Sequence, residues 1–171
     1  IVKYISKNAD ELSFIISTSG TTSKPKDVEV NMLNCIRHVK KNGSNKKRVW
    51  GLGYPVGSFA STQVFFQAFL NNEKIIYLFT DKFKNIERIL NEDKITNLCC
   101  TPTFLSMILI NMNSINESLK TLTTGGEKIQ SNLINFFKQK FVNAEYINVY
   151  ATTETGSLLY SKSEYFTIPE K

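Results

Sequence analysis

The chain has one histidine, His38, no apolar run approaching the ~20 residues of a membrane-spanning helix, and no recognisable signal peptide after Ile1. A lone histidine argues against a zinc site and against a Ser-His-Asp triad. The three cysteines, Cys35, Cys99 and Cys100, form neither a C-x-x-C pair nor an even disulfide framework. Cys99 and Cys100 lie in an apolar, strand-like stretch, which predicts buried free thiols and fits a reducing, cytoplasmic setting. There is no internal repeat, low-complexity tract or linker. An Ile at position 1 is what a piece of a longer chain, or a trimmed one, would show. What remains is an ordinary globular composition over 171 residues, 42% hydrophobic and 21% charged, enough for one domain with a substantial core.

The net charge is +6, and Lys40, Lys41, Lys46, Lys47 and Arg48 account for five of the positive charges. A nucleic-acid patch reads this way. The cluster flanks the turn-like Asn42-Gly43-Ser44-Asn45 and meets no aromatic residue before Trp50, so a solvated loop is the preferred reading, with no nucleic-acid partner.

Short β-branched or aromatic runs alternate with amphipathic patterns. Strands are predicted at Ser13 to Ser17, Arg48 to Leu52 (closed by Gly51, Gly53 and Pro55), Lys74 to Thr80, Ile95 to Cys100, Leu119 to Thr123 and Glu145 to Val149. Between them, Val28 to Val39 is partly helical, and Ser58 caps a helix through Leu70 that is apolar enough for burial on more than one side. Asp81 caps a helix carrying Phe83, Ile86, Ile89 and Leu90. Thr101-Pro102 opens another, and Ser131 caps a last one with Leu133, Ile134, Phe136, Phe137 and Phe141 as its inner face. This alternation predicts an α/β fold, a mainly parallel sheet with helices on both faces.

In such sheets ligands gather beyond the carboxyl ends of the strands. Three polar, glycine-bearing loops fall there: Ser17 to Lys26, Thr124-Gly125-Gly126-Glu127, and Tyr150 to Gly156. The first offers Thr18, Ser19, Gly20, Thr21, Thr22 and Lys24, whose hydroxyls, amides and charge suit a polyphosphate; a solvated Ser/Thr turn fits the same composition. It is not a Walker A loop, because Ser23 and not glycine precedes Lys24. In the other two loops, Gly125 and Gly126 allow close backbone approach, Tyr150 offers a stacking surface, Thr153 a hydroxyl and Glu154 a carboxylate for a metal. Core-edge packing, a first-turn acid and a βα turn explain these residues one at a time.

Taken together, Thr18 to Asp27 resembles the phosphate loop [ST]-S-G-T-T-G-x-P-K-G of the adenylate-forming superfamily, the acyl-CoA synthetases, luciferases and peptide-synthetase adenylation domains. Tyr150-Ala151-Thr152-Thr153-Glu154 resembles its Y-G-x-T-E motif, Gly125-Gly126-Glu127 its adenine-side loop, and Pro55 falls where a substrate-pocket motif begins. The four landmarks occur in the family's order. The resemblance implies that the chain, 1–171, is the central part of the large N-terminal, AMP-binding domain of an acid-thiol ligase. It implies that ATP and a small-molecule carboxylate give an acyl-adenylate and pyrophosphate, and that CoA or an acyl or peptidyl carrier protein usually accepts the acyl group.

By the same resemblance, Thr18, Ser19, Gly20, Thr21, Thr22 and Lys24 hold the β- and γ-phosphates and Tyr150 lies against adenine. Thr153 bonds the α-phosphate, Glu154 coordinates Mg²⁺, and the acyl pocket is lined from Ser58 to Thr62 and from the Gly125 region. Lys24, Thr153 and Glu154 are the expected catalytic residues. Ser23 and Asp27 replace two loop glycines, and Ser58 stands where a histidine is common. The family's first segment, its ribose-binding aspartate and the lysine of its C-terminal domain are not within the sequence, so the expectation is a portion incomplete for catalysis by itself. A degenerate domain that binds nucleotide or a partner without turnover is the alternative.

Overall fold

The computed structural model describes residues 2–18, 26–43, 47–79, 83–153 and 155–168. A six-stranded sheet has the order β4-β3-β5-β6-β7-β8. Its strands are β3 (Val49–Gly53), β4 (Lys74–Tyr77), β5 (Asn97–Cys100), β6 (Thr121–Gly125), β7 (Glu145–Thr152) and β8 (Gly156–Ser161). β4 through β7 run parallel, and β8 returns antiparallel to β7. The α/β expectation with a mainly parallel sheet therefore holds.

Register decides which side chains meet which layer. Gly51, Leu98, Leu122 and Tyr146 lie abreast, and the next row is Leu52, Cys99, Thr123 and Ile147. Because the pleat alternates faces, the two rows serve opposite layers. Leu98, Cys100, Leu122 and Tyr146 pack against α4 (Ile86–Glu92), α5 (Pro102–Ile110) and α6 (Ser131–Lys140). Trp50, Leu52, Tyr54 and Cys99 pack against Val64 and Ala68 of α3 (Phe59–Phe69). Helices thus cover both faces. At Gly53, a Cβ would sit 2.6 Å from the Cys100 Cβ and 2.7 Å from the Phe104 ring, so the missing side chain lets α5 approach the sheet. Gly53 belongs to β3 and does not merely close it.

Two caps match the sequence. The Ser58 side chain accepts the Ser61 N–H, and Thr101 accepts the Phe104 N–H ahead of Pro102. Ser131 does not cap α6. Its N–H and hydroxyl both donate to the Glu164 carboxylate, so a distant acid supplies the anion at that helix start. Phe136, expected on the inner face of α6, is exposed, because Ile134 and Phe137 already fill the stripe toward the sheet. Asp81 lies outside the described residues, and a short 3₁₀ turn at Phe83–Asn85 leads into α4.

The larger departure is at the start. After α1 (Val2–Lys7), β1 (Ser13–Thr18) pairs only with β2 (Lys26–Asn31), as an antiparallel two-stranded ribbon separate from the main sheet. The helix expected over Val28 to Val39 shrinks to α2 (Met32–Ile36). Val28 and Val30 turn inward between exposed Asp27 and Glu29, a period of two that belongs to a strand. A two-stranded ribbon is marginal alone. Here Ile16 and Val30 join Cys35 of α2 and Phe59 and Phe66 of α3 in a third cluster. α3 thereby packs on the sheet with one side and on the ribbon with another, the two-sided burial its composition predicts. The strand after β7, absent from the sequence reading, is β8.

Arg48 is not part of a free basic patch. Its Nε donates to the Glu73 carboxylate at 2.8 Å and its guanidinium lies 5.2 Å from the Trp50 ring centroid. Among the described residues no helix is long and apolar enough to cross a membrane.

Candidate functional site

Between the α3 face of the main sheet and the β1–β2 ribbon lies an open cleft of about 990 Å³. Its floor is formed by Trp50, Cys99 and Thr123, on the α3 side of β3, β5 and β6. Ala60, Gln63 and Val64 of α3 form one wall; Ile15, Ile16 and Ser17 of β1, with His38, form the facing one. At the carboxyl ends of the strands, Gly125, Gly126, Thr152, Thr153 and Ser157 complete the rim. The sequence rule that ligands gather beyond the carboxyl ends of parallel strands leads to this place.

The predicted residues distribute unevenly. Gly125, Gly126 and Thr153 line the cleft together. Gly126 has φ +82° with open space where a Cβ would go, while a Cβ on Gly125 would come within 3.0 Å of the Val149 carbonyl oxygen. Glu127 turns away: its carboxylate accepts the Thr103 N–H at 2.9 Å and the Thr103 hydroxyl at 2.6 Å, at the start of α5. Tyr150 alternates with Val149 and Ala151, which line the cleft; it is half exposed, with its ring edge-on to Phe166 at 6.1 Å. Its side chain therefore lies beside the rim and not within the cleft. Ser17 lines the cleft and Thr18 is the last residue of β1, but Ser19, Gly20, Thr21, Thr22, Lys24 and Glu154 lie outside the described residues. Of the expected acyl-pocket stretch, Ser58, Phe59 and Ala60 face the cleft. The Thr62 hydroxyl instead donates back to the Ser58 carbonyl at 3.0 Å.

Several lining residues carry no motif. Trp50, Leu52 and Tyr54 continue a period of two past the end of β3, a signal that could have placed Tyr54 on this face. Gln63 and Ser157 are 94 residues apart in sequence and meet at 3.3 Å only because β8 returns beside β7; nothing local announces that pair.

The titratable groups here are largely silenced. Burial pushes the Tyr54 phenol well above its ordinary value, with a backbone hydrogen bond at Gly125 acting in the opposite sense. Burial also pushes the Cys99 thiol up to about 12, with a hydrogen bond from Thr123 opposing it, and holds Cys100 well above its ordinary value. Neither thiol is a nucleophile near neutral pH. His38 is held below its ordinary value, first by burial and then by the neighbouring Arg37 charge. Arg37 Nε donates to His38 Nε2 at 3.0 Å, so that nitrogen is the acceptor of a neutral ring. The cleft can bind and orient, therefore, but the described side chains supply no strong acid, base or nucleophile.

Comparison with known proteins agrees with this geometry. The chain is 28% identical over 164 residues to bacitracin synthase 3 of Bacillus licheniformis, covering 90% of this chain and 2% of that protein. It is 28% identical over 160 residues to gramicidin S synthase 1 of Brevibacillus brevis, covering 89% of this chain and 14% of that protein. The chain thus spans a small fraction of the curated relatives it matches. In three dimensions it resembles the o-succinylbenzoate coenzyme A synthetase of Bacillus subtilis, solved with ATP and a magnesium ion, with a TM-score of 0.71 at 19% identity; the likeness covers 88% of this chain and 32% of that one. The model of the AMP-binding enzyme family matches residues 3–170, nearly the whole length. The chain belongs to the AMP-binding enzyme family.

Proposed function

We propose that the protein containing this chain activates a carboxylic acid with ATP, forming an acyl-adenylate, and then passes the acyl group to a thiol of CoA or of a carrier protein, with AMP as the leaving group. The observation that carries this reading is the cleft itself. A large apolar cavity opens at the strand ends onto Gly125, Gly126, Thr153 and the Ser17 end of β1, from which the hydroxyl-rich sequence Thr18 to Lys24 follows.

In the first half-reaction a carboxylate oxygen of the acid attacks the α-phosphorus of ATP, and the bond to the bridging oxygen breaks as pyrophosphate leaves. Thr18, Ser19, Gly20, Thr21, Thr22 and Lys24 hold the β- and γ-phosphates through amides, hydroxyls and one positive charge. Gly125 and Gly126 admit the nucleotide close to the backbone, Tyr150 lies against the base from its half-exposed position, and Thr153 donates to the α-phosphate. The Ser58 end of α3 and the floor hold the acid so that its carboxylate faces phosphorus. The attacking carboxylate is already ionised and has no proton to lose, so alignment and charge neutralisation carry the step.

Mg²⁺ is commonly held by one or two carboxylates plus substrate phosphates, so one carboxylate beside the triphosphate would suffice to hold it. Glu154 is the carboxylate assigned to it, and the ion, when bound, neutralises phosphate charge.

Hydroxylamine trapping tests the reading. The intact parent protein with ATP, magnesium and a panel of acids should yield a hydroxamate and pyrophosphate that both depend on the acid. ATP binding with neither product across the panel would instead favour a domain that binds nucleotide without turnover.

A further inference from the structure

We infer that Trp50 is the end stop of the acid pocket, limiting the length of acid the cleft accepts, and that Glu73 positions its indole; this rests on the adenylation reading above. Trp50 lies in one row with Asn97 and Thr121, four residues before Gly125 on β6. At about 3.3 Å per residue, that row is about 13 Å below the rim where the nucleotide is proposed to sit. Trp50 is 8% exposed and lines the cleft beside Val64 and Cys99.

The indole is held at its edge and on its face. Its Nε1–H donates to Glu73 Oε2 at 2.7 Å, and the Arg48 guanidinium, which also donates to Glu73, lies 5.2 Å from the ring centroid. Asn42 Nδ2 donates to the same carboxylate at 2.6 Å. An indole that moved aside would leave this buried anion short of a donor, which makes the ring a fixed wall.

The same network stands across the deep end of the cleft. The Lys40 N–H donates to Gln67 Oε1 at 3.0 Å, Gln67 Nε2 returns to the Lys40 carbonyl at 2.9 Å, and the Asn42 N–H donates to Asn71 Oδ1 at 2.8 Å. Val39 and Gln67 both line the cleft. Residues 39–42 are therefore laced to α3 and, through Asn42, to the carboxylate that holds Trp50. An acyl tail that reaches this end meets an aromatic ring backed by a hydrogen-bonded strap. One methylene too many must break that network or strain the packing, and overpacking a filled site is costly.

Straight-chain acids serve as the ruler in the intact parent protein. Acid-dependent ATP–pyrophosphate exchange is measured from acetate to dodecanoate. The kcat/KM should rise with length to a limit and then fall about tenfold with the next methylene. Trp50→Ala should move the limit to longer acids, and Trp50→Phe should move it less. Glu73→Gln should soften the limit, narrowing the ratio between acids on either side of it while the KM for ATP holds. Trp50 is the only tryptophan of the 171 residues. Wild-type emission minus that of Trp50→Phe therefore reports on the stop itself, even where Trp50→Ala does not fold. Acids at the limit should change that difference, and acetate should not. A profile without a limit, a limit at the same length in every folded Trp50 variant, or exchanging acids that leave the emission unchanged at every length overturns the inference and leaves the adenylation reading standing. A uniform loss at all lengths in Glu73→Gln overturns the positioning role. An emission response to the longer acids with no exchange upholds the stop and overturns the adenylation reading. Neither exchange nor response overturns both.

Discussion

Arg37, at the end of α2, donates through Nη2 to the backbone carbonyl of Thr155, in the turn between β7 and β8. One guanidinium therefore ties the β1–β2–α2 unit to the turn that carries Thr153. Gly156 makes room for it: its φ is +77°, and a Cβ there would lie 3.1 Å from Arg37 Nη2. Arg37→Ala should release the turn and raise the KM for ATP by about tenfold, the scale of one charge-assisted hydrogen bond. Arg37→Lys should recover part of the loss. If both variants lower kcat and stability together while leaving the KM for ATP alone, the tie is merely structural.

Gly53 should be nearly intolerant of a side chain. Gly53→Ala brings a methyl against Cys100 and Phe104, both packed between the sheet and α5. Overpacking of this kind costs about 1–3 kcal/mol. Thermal unfolding of the variant should show a midpoint several degrees lower; an unchanged midpoint would mean that α5 moves away freely.

The Glu73 side chain is 1% exposed and is the most committed carboxylate among the described residues. It accepts from Arg48 Nε at 2.8 Å, Trp50 Nε1 at 2.7 Å and Asn42 Nδ2 at 2.6 Å. Burial pushes its pKa up, but the bonds from Arg48, Trp50 and Asn42 and the Arg48 charge more than offset this and leave it below its ordinary value of 4.5. A depressed folded value means that its stabilisation is fully present above about pH 4.5 and disappears as the pH falls through the lower folded value. Glu73→Ala should cost about 3 kcal/mol at pH 7, through the unpaired donors left behind. Denaturant unfolding at pH 7 and at progressively lower pH should show the gap between wild type and variant closing in acid. A gap constant with pH would contradict the ionised assignment.

The three cysteines should be unreactive in the folded state. All are buried, and burial pushes Cys35 up to about 11 and Cys99 up to about 12. A thiol-specific reagent at pH 7 should titrate none of them until denaturant is added. Rapid labelling of Cys99 in the native protein would mean that the floor of the cleft opens.

The fold was legible wherever local pattern and global packing coincide. The alternation of strand and helix from Val49 to Val149 translated directly into the parallel sheet, and Ser58 and Thr101 capped their helices as their chemistry requires. It failed where the deciding contact is distant. Val28 and Val30 pack in one cluster with Phe59 and Phe66, and that distant contact, together with the pairing to β1, favours a strand over a helix after the phosphate-loop sequence. Ser131 resembles a cap, yet the anion at α6 comes from Glu164. The candidate site divides along the same line. Gly125, Gly126 and Thr153 were readable because motif residues must stand in a fixed local order. Gln63, Ser157 and Thr123 were not, because a pocket wall needs only shape and neutrality, and those leave no spacing to read.

Acid-dependent ATP–pyrophosphate exchange by the intact parent protein, compared with its Lys24→Ala and Thr153→Ala variants, bears most directly on the central claim that the opening loop and the β7–β8 turn serve one ATP. Each variant should reduce exchange by roughly a hundredfold, the scale for removing one preorganised donor at a charged reacting group, with the fold intact by circular dichroism. Wild-type exchange that both variants retain in full would contradict it.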